Sequence, residues 1–108
     1  MRISYTFRNM ESSDAIKSHA SEKIGKIQKY MRAPLHAEMT FSMERHLHRV
    51  DLNLTGDGHQ YAGHGASDDM YTTIDQVVDK IDRQVRDTKA TENDRRRHSG
   101  ESVRRPED

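Results

Sequence analysis

The sequence predicts an α+β domain in the order β-α-β-β-β-α, a four-stranded sheet with two helices packed on one face. Four short segments alternate apolar and polar residues, the period of a half-buried strand. Two longer segments repeat apolar residues at helical spacing. After residue 89 only Ala90 and Val103 are apolar, so residues 1–89 must supply the core.

In residues 2–8, Ile3, Tyr5 and Phe7 share one face, and Arg2, Ser4, Thr6 and Arg8 the other. This is a strand with one wet face. Ser13 is placed to cap the helix that follows, because its hydroxyl can accept a free backbone N–H. Ile16, Ala20, Ile24, Ile27 and Met31 then recur at helical spacing, and Pro34 marks the stop. Ala37, Met39, Phe41 and Met43 form the apolar face of a second strand; Val50, Leu52 and Leu54 form that of a third. "GDGH" (Gly56 to His59) is a hairpin turn, since Asp-Gly adopts positive φ at little cost. "QYAGHGA" is a fourth strand, whose Gly63 and Gly65 let a helix pack close. Asp68 or Asp69 caps the last helix. Domain boundaries follow: an α+β domain over 1–89 and a disordered charged tail over 90–108.

The absence of Cys excludes disulfides and thiolate metal sites. "MRISYTFRNMESS" has no apolar signal-peptide core, and no run has the ~18 apolar residues of a membrane span. A soluble, cytoplasmic protein is expected. Lys and Arg total 18, as do Asp and Glu, so general nucleic-acid affinity has no support from net charge and only local patterning can provide it.

Local patterning does. On a wheel of about 100° per residue, Met70, Ile74, Val77, Val78, Ile81 and Val85 of the last helix form one stripe. One flank carries Asp75, Asp79 and Asp82, with Arg86 and Lys89 near its end. The other carries Thr72, Thr73, Gln76, Lys80, Arg83 and Gln84, with Asp87 as its one acid. In the first helix His19, Lys23, Lys26 and Tyr30 form a line beside the apolar stripe. Solvated helix faces with i,i+4 pairs such as Glu22–Lys26 would look the same one helix at a time. Two basic flanks side by side on one sheet would grip a phosphate backbone. The sheet's outer phase holds no aromatic residue, which excludes base stacking of the RRM kind.

Seven histidines raise the question of a metal. His46 and His48 share a strand face, but His59 and His64 fall on opposite faces, and neither HExxH nor a nucleophile triad is present. No metal, no cofactor and no catalysis are expected.

"DDMYTTIDQVVDKIDRQVRDTK" (Asp68 to Lys89) resembles the closing helix of the bacterial ribosome hibernation factors, with the pattern D-M-Y-x-A-I-D…D-K-L-x-R-Q-L. "EKIGKIQKY" and the A-x-A-like "YAGHGASDDMY" extend the resemblance over about residues 1–89. It implies a layout similar to double-stranded RNA-binding domains. It also implies a stoichiometric inhibitor of translation, binding the small ribosomal subunit and its rRNA at the decoding region in stationary phase or stress. Carried over by position, the family's RNA-contacting bases fall on Lys23 and Lys26 and on Lys80 and Arg83, the four that the wheel selects. His19, Tyr30, Arg86 and Lys89 complete the candidate RNA-binding set. Asp87 departs from the pattern where relatives have a base. The family has long forms with a second, dimerising domain, which this chain is expected to lack, and it is expected to be a monomer off the ribosome. Short forms either pair ribosomes with a separate ribosome modulation factor or hold single ribosomes inactive, and both remain open. The alternative function is modulation of an alternative sigma factor in transcription.

Overall fold

The structure, a computed structural model, describes residues 1–97. Its elements are β1 (Arg2–Arg8), α1 (Asp14–Gln28), β2 (His36–Glu44), β3 (Leu47–Gly56), β4 (His59–Ser67) and α2 (Met70–Arg97), the predicted α+β succession. One sheet has the order β1-β2-β3-β4. The α1 crossover brings β2 back parallel to β1, while the hairpins make the other pairs antiparallel.

The pairing register decides which residues reach the core. Ala37↔Leu54, Met39↔Leu52 and Phe41↔Val50 are cross-strand partners, and all six are buried. Phe41 stacks on Phe7 and Tyr5 of β1, with centroids 4.8 and 6.3 Å away. Ile16, Ala20, Ile24 and Ile27 of α1 join the same core as Ile74, Val77, Val78, Ile81 and Val85 of α2. Both helices therefore lie on one face of the sheet. A Cβ on Gly65 would stand 3.1 Å from Val77 Cγ2, and one on Gly63 3.3 Å from Ile81 Cδ1, so the missing side chains set how closely α2 lies on β4.

The helix starts follow their caps. Ser13 Oγ accepts the Ile16 N–H at 3.2 Å. Asp69, rather than Asp68, caps α2: its Oδ2 accepts the Thr72 N–H at 2.9 Å and the Thr72 hydroxyl at 2.7 Å. These bonds, the hydroxyl's first, hold the Asp69 carboxyl below its usual range.

The ends differ from the sequence expectation. α1 stops at Gln28, six residues before Pro34. The Gln28 side chain then organises the loop: its Nε2 donates to Ala33 O at 3.0 Å and its Oε1 accepts the Leu35 N–H at 2.8 Å. Tyr30 and Met31 thus lie past the helix, although Met31 is still buried. α2 runs to Arg97, eight residues beyond the expected boundary at 89, so residues 90–97 are helix and not disordered tail. They lack an apolar stripe but also any Gly or Pro, and a helix needs a stop signal as well as the end of its core face. The remainder of the expected tail, 98–108, lies outside the described residues.

Candidate nucleic-acid interface

α2 lays its apolar stripe on β3 and β4, and this fixes where its two charged flanks point. The acidic flank faces α1. His19 Nε2 lies 2.8 Å from Asp75 Oδ1, and Lys23 Nζ 3.6 Å from the same oxygen. The Tyr71 ring meets His19 edge-on, at 5.1 Å between centroids. The expected arrangement, two basic flanks side by side, is therefore corrected: a row of acids separates them. The signal was present in the sequence, since a basic line on one helix and an acidic line on the next are complementary when the helices pack together.

Beyond Asp75 the helices part into a cleft of about 200 Å³. Lys23, Lys26, Lys29 and Tyr30 line one wall, Asp79 and Asp82 the other, and the buried Ile27 and Val78 lie beneath. Lys26 is exposed and makes no ion pair among the described residues, and Tyr30 is 39% exposed. Lys29, Asp79 and Asp82 were not among the residues selected from the sequence.

The other flank of α2 runs along the free edge of β4. Lys80 Nζ donates to His64 O at 3.0 Å and Gln84 Nε2 to Ala62 O at 3.5 Å. Arg83 is exposed and makes no ion pair among the described residues. Thr73, assigned to this flank by the wheel, is fully buried. Its hydroxyl lies 3.0 Å from His48 O and 2.6 Å from Ser67 Oγ, so it joins the helix start to β3 and β4.

The last two candidates are engaged within the fold. Arg86 Nε donates to Asp82 Oδ2 at 3.0 Å, one turn back. The Lys89 ammonium pairs with Asp57 in the β3–β4 turn, where Asp57 and Gly58 have φ of 49° and 83°. Asp57 also accepts the N–H groups of Arg32 and Ala33 in the α1–β2 loop, at 2.9 and 3.2 Å. The Lys89 bond first, then the Arg32 N–H, lower the Asp57 pKa to about 2. Glu92 adds a 2.6 Å contact to His59. Four segments meet in this clasp, which makes Lys89 a structural base more than an RNA contact.

The open face of the sheet carries polar side chains in registered rows, such as Thr6↔Thr40 and Thr40↔Asp51, while Tyr5, Phe7, Phe41 and Tyr61 point to the core side. No three His, Asp or Glu residues come together as a metal site among the described residues. No helix there is long and apolar enough to cross a membrane.

The family model described as Sigma 54 modulation protein / S30EA ribosomal protein matches residues 3–93. A ribosome hibernation promoting factor of Azotobacter vinelandii is 24% identical over 85 residues, 79% of each chain. The crystal structure of the Thermus thermophilus Protein Y N-terminal domain superposes with a TM-score of 0.76 at 27% identity, over 79% of this chain and 96% of that one. A ribosomal subunit interface protein from Coxiella burnetii gives 0.73 at 26% identity, over 83% and 99%.

Proposed function

The chain belongs to the Sigma 54 modulation protein / S30EA ribosomal protein family, and from that membership we propose that it is a ribosome hibernation factor. In this reading it binds the small ribosomal subunit at the decoding region and blocks the mRNA and tRNA sites during stationary phase or stress. It acts by occupancy, one protein per ribosome, and not by catalysis. The observation that carries the reading is the pair of free bases, Lys26 beside the cleft and Arg83 on the far flank of α2, both exposed on the helix layer. Lys23 and Lys80 stand beside them with ammonium protons left to donate. Acids lie between the two sets, so each set meets its own stretch of phosphate backbone. The names of the relatives support a ribosomal target.

The test is pelleting with purified small and large subunits, followed by an assay of translation. Co-sedimentation with small subunits and a stoichiometric loss of translation are expected. With about four to six phosphates neutralised, log K should fall against log salt with a slope of roughly −3 to −5. A flat salt profile would mean that contacts to ribosomal proteins dominate.

The family's description also keeps a transcriptional reading in play. A density gradient of a stationary-phase lysate separates the two. Migration with ribosomes supports hibernation, and co-purification with RNA polymerase supports the alternative.

A further inference from the structure

We propose that the cleft between α1 and α2 is a subsite for one unpaired nucleotide, with guanine its preferred base. This deepens the ribosome-binding reading and rests on it. The walls differ in chemistry. Lys26 and Lys29 offer ammonium groups with no ion pair among the described residues on one side, beside Lys23, which is already paired with Asp75, and the exposed ring of Tyr30. Asp79 and Asp82 offer carboxylates on the other. Asp79 is exposed and makes no ion pair among the described residues, and Asp82 is bonded to Arg86, not to a lysine across the cleft. Opposite charges therefore face each other without closing on each other. The cleft is about 200 Å³ and open to solvent, so a flat ring can enter it edge-first while its sugar and phosphate stay outside.

A nucleotide matches this polarity. Its phosphate is the anion for the lysine wall. Its base has a π-face for Tyr30, and sequence-specific RNA recognition commonly stacks splayed bases on aromatic rings. An ionised carboxylate only accepts hydrogen bonds, so Asp79 and Asp82 select an edge rich in donors. Guanine presents two adjacent donors on its Watson–Crick edge, N1–H and the N2 amino group. Cytosine and adenine present one amino group each beside an acceptor, and uracil presents a single N3–H flanked by two carbonyls that would repel the carboxylates. The order expected is guanine first, then cytosine and adenine, then uracil. Asp75 takes no part, because His19 and Lys23 already engage it.

The experiment is chemical footprinting of rRNA on purified small subunits, after pelleting has measured binding. Reagents that modify guanine N1/N2 and cytosine N3 are used with the wild-type protein, Asp79→Ala/Asp82→Ala, Tyr30→Ala and Tyr30→Phe. Wild type should protect one unpaired guanine. The double acid variant loses both acceptors and, footprinted at a protein concentration that saturates the subunits, should leave that guanine reactive. Tyr30→Ala should lose the protection and bind about tenfold more weakly, the scale of one lost stack; Tyr30→Phe should keep both. An identical footprint from wild type and the double acid variant overturns the subsite and leaves ribosome binding standing. Failure of the wild type to pellet overturns the ribosomal reading itself, before any base is probed.

Discussion

Two clusters of opposite charge lie along α2, and they are built to different ends. In the interhelical cleft, Lys26, Lys29 and Asp79 are exposed and stand across a gap from one another. In the clasp at the other end, Lys89 and Asp57 are in contact, their side chains only 20% and 12% exposed, and the same carboxylate holds two backbone N–H groups. The clasp has satisfied its charges and has little left for a partner. The cleft has not, and the groups it leaves free are those a ligand can use. Residue type does not distinguish the two clusters, since each sets lysine against aspartate from another segment of the chain. What distinguishes them is whether the backbone brings opposite charges within bonding distance.

The largest effect should come from reversing free bases. Lys26→Glu with Arg83→Glu should weaken small-subunit binding by on the order of a hundredfold or more, since two attractions to phosphate become repulsions. Circular dichroism and the melting temperature should stay close to wild type, because neither side chain contributes to the core. Lys23→Glu is a poorer probe: it would place a carboxylate against Asp75 and strain the helix pair. If the double variant still pellets like wild type, the free bases are not the contact surface.

The clasp should answer in stability instead. Asp57→Ala removes the acceptor of Lys89 and of the Arg32 and Ala33 N–H groups, and should cost about 2 kcal/mol of unfolding free energy. The effect also has a pH signature. The Asp57 pKa is about 2 in the folded chain against 3.8 as its ordinary value. A depressed pKa adds stability that is fully present above about pH 4 and is lost as pH falls towards 2. Denaturant midpoints measured across that window should fall more steeply for wild type than for Asp57→Asn. Equal slopes would show that the carboxylate is not held by the clasp in solution.

The element order, the core faces and three turn or cap positions (Ser13, the Asp-Gly turn, the acid before α2) were legible in the sequence because each is a local property. Alternation and helical spacing record the burial of a face, whatever lies opposite. What the sequence did not reveal is relational. The buried Thr73 falls on the polar flank by residue type, yet its hydroxyl bonds to Ser67 and the His48 carbonyl, which lie near only after folding. Lys89 was a candidate RNA contact until the β3–β4 turn placed Asp57 beside it. The acids of α2 share a flank with Arg86 and Lys89, and it is Asp79 and Asp82 of that flank, not its bases, that form the facing wall of the cleft. The extension to Arg97 was missed because the core face ends at Val85 while the helix needs none to continue.

The smallest expected effect separates Lys80 from Arg83, two bases of similar sequence standing on one flank. β4 is an edge strand, and its outward carbonyls would otherwise be open to strand addition. Lys80 covers the one at His64 and Gln84 the one at Ala62. An ammonium already committed to a carbonyl has fewer donors for phosphate and loses a bond if it moves to reach one. Arg83 has no such commitment among the described residues. Lys80→Ala should therefore weaken small-subunit binding only about two- to threefold, and Arg83→Ala about tenfold, a difference of under 1 kcal/mol between single cations. Stability should change by no more than about 0.5 kcal/mol in either, because both sites are exposed. Parallel pelleting titrations at one salt concentration resolve the ranking. If Lys80→Ala binds more weakly than Arg83→Ala, the bond to His64 does not hold Lys80 back, and the contrast between engaged and free bases applies to the clasp alone.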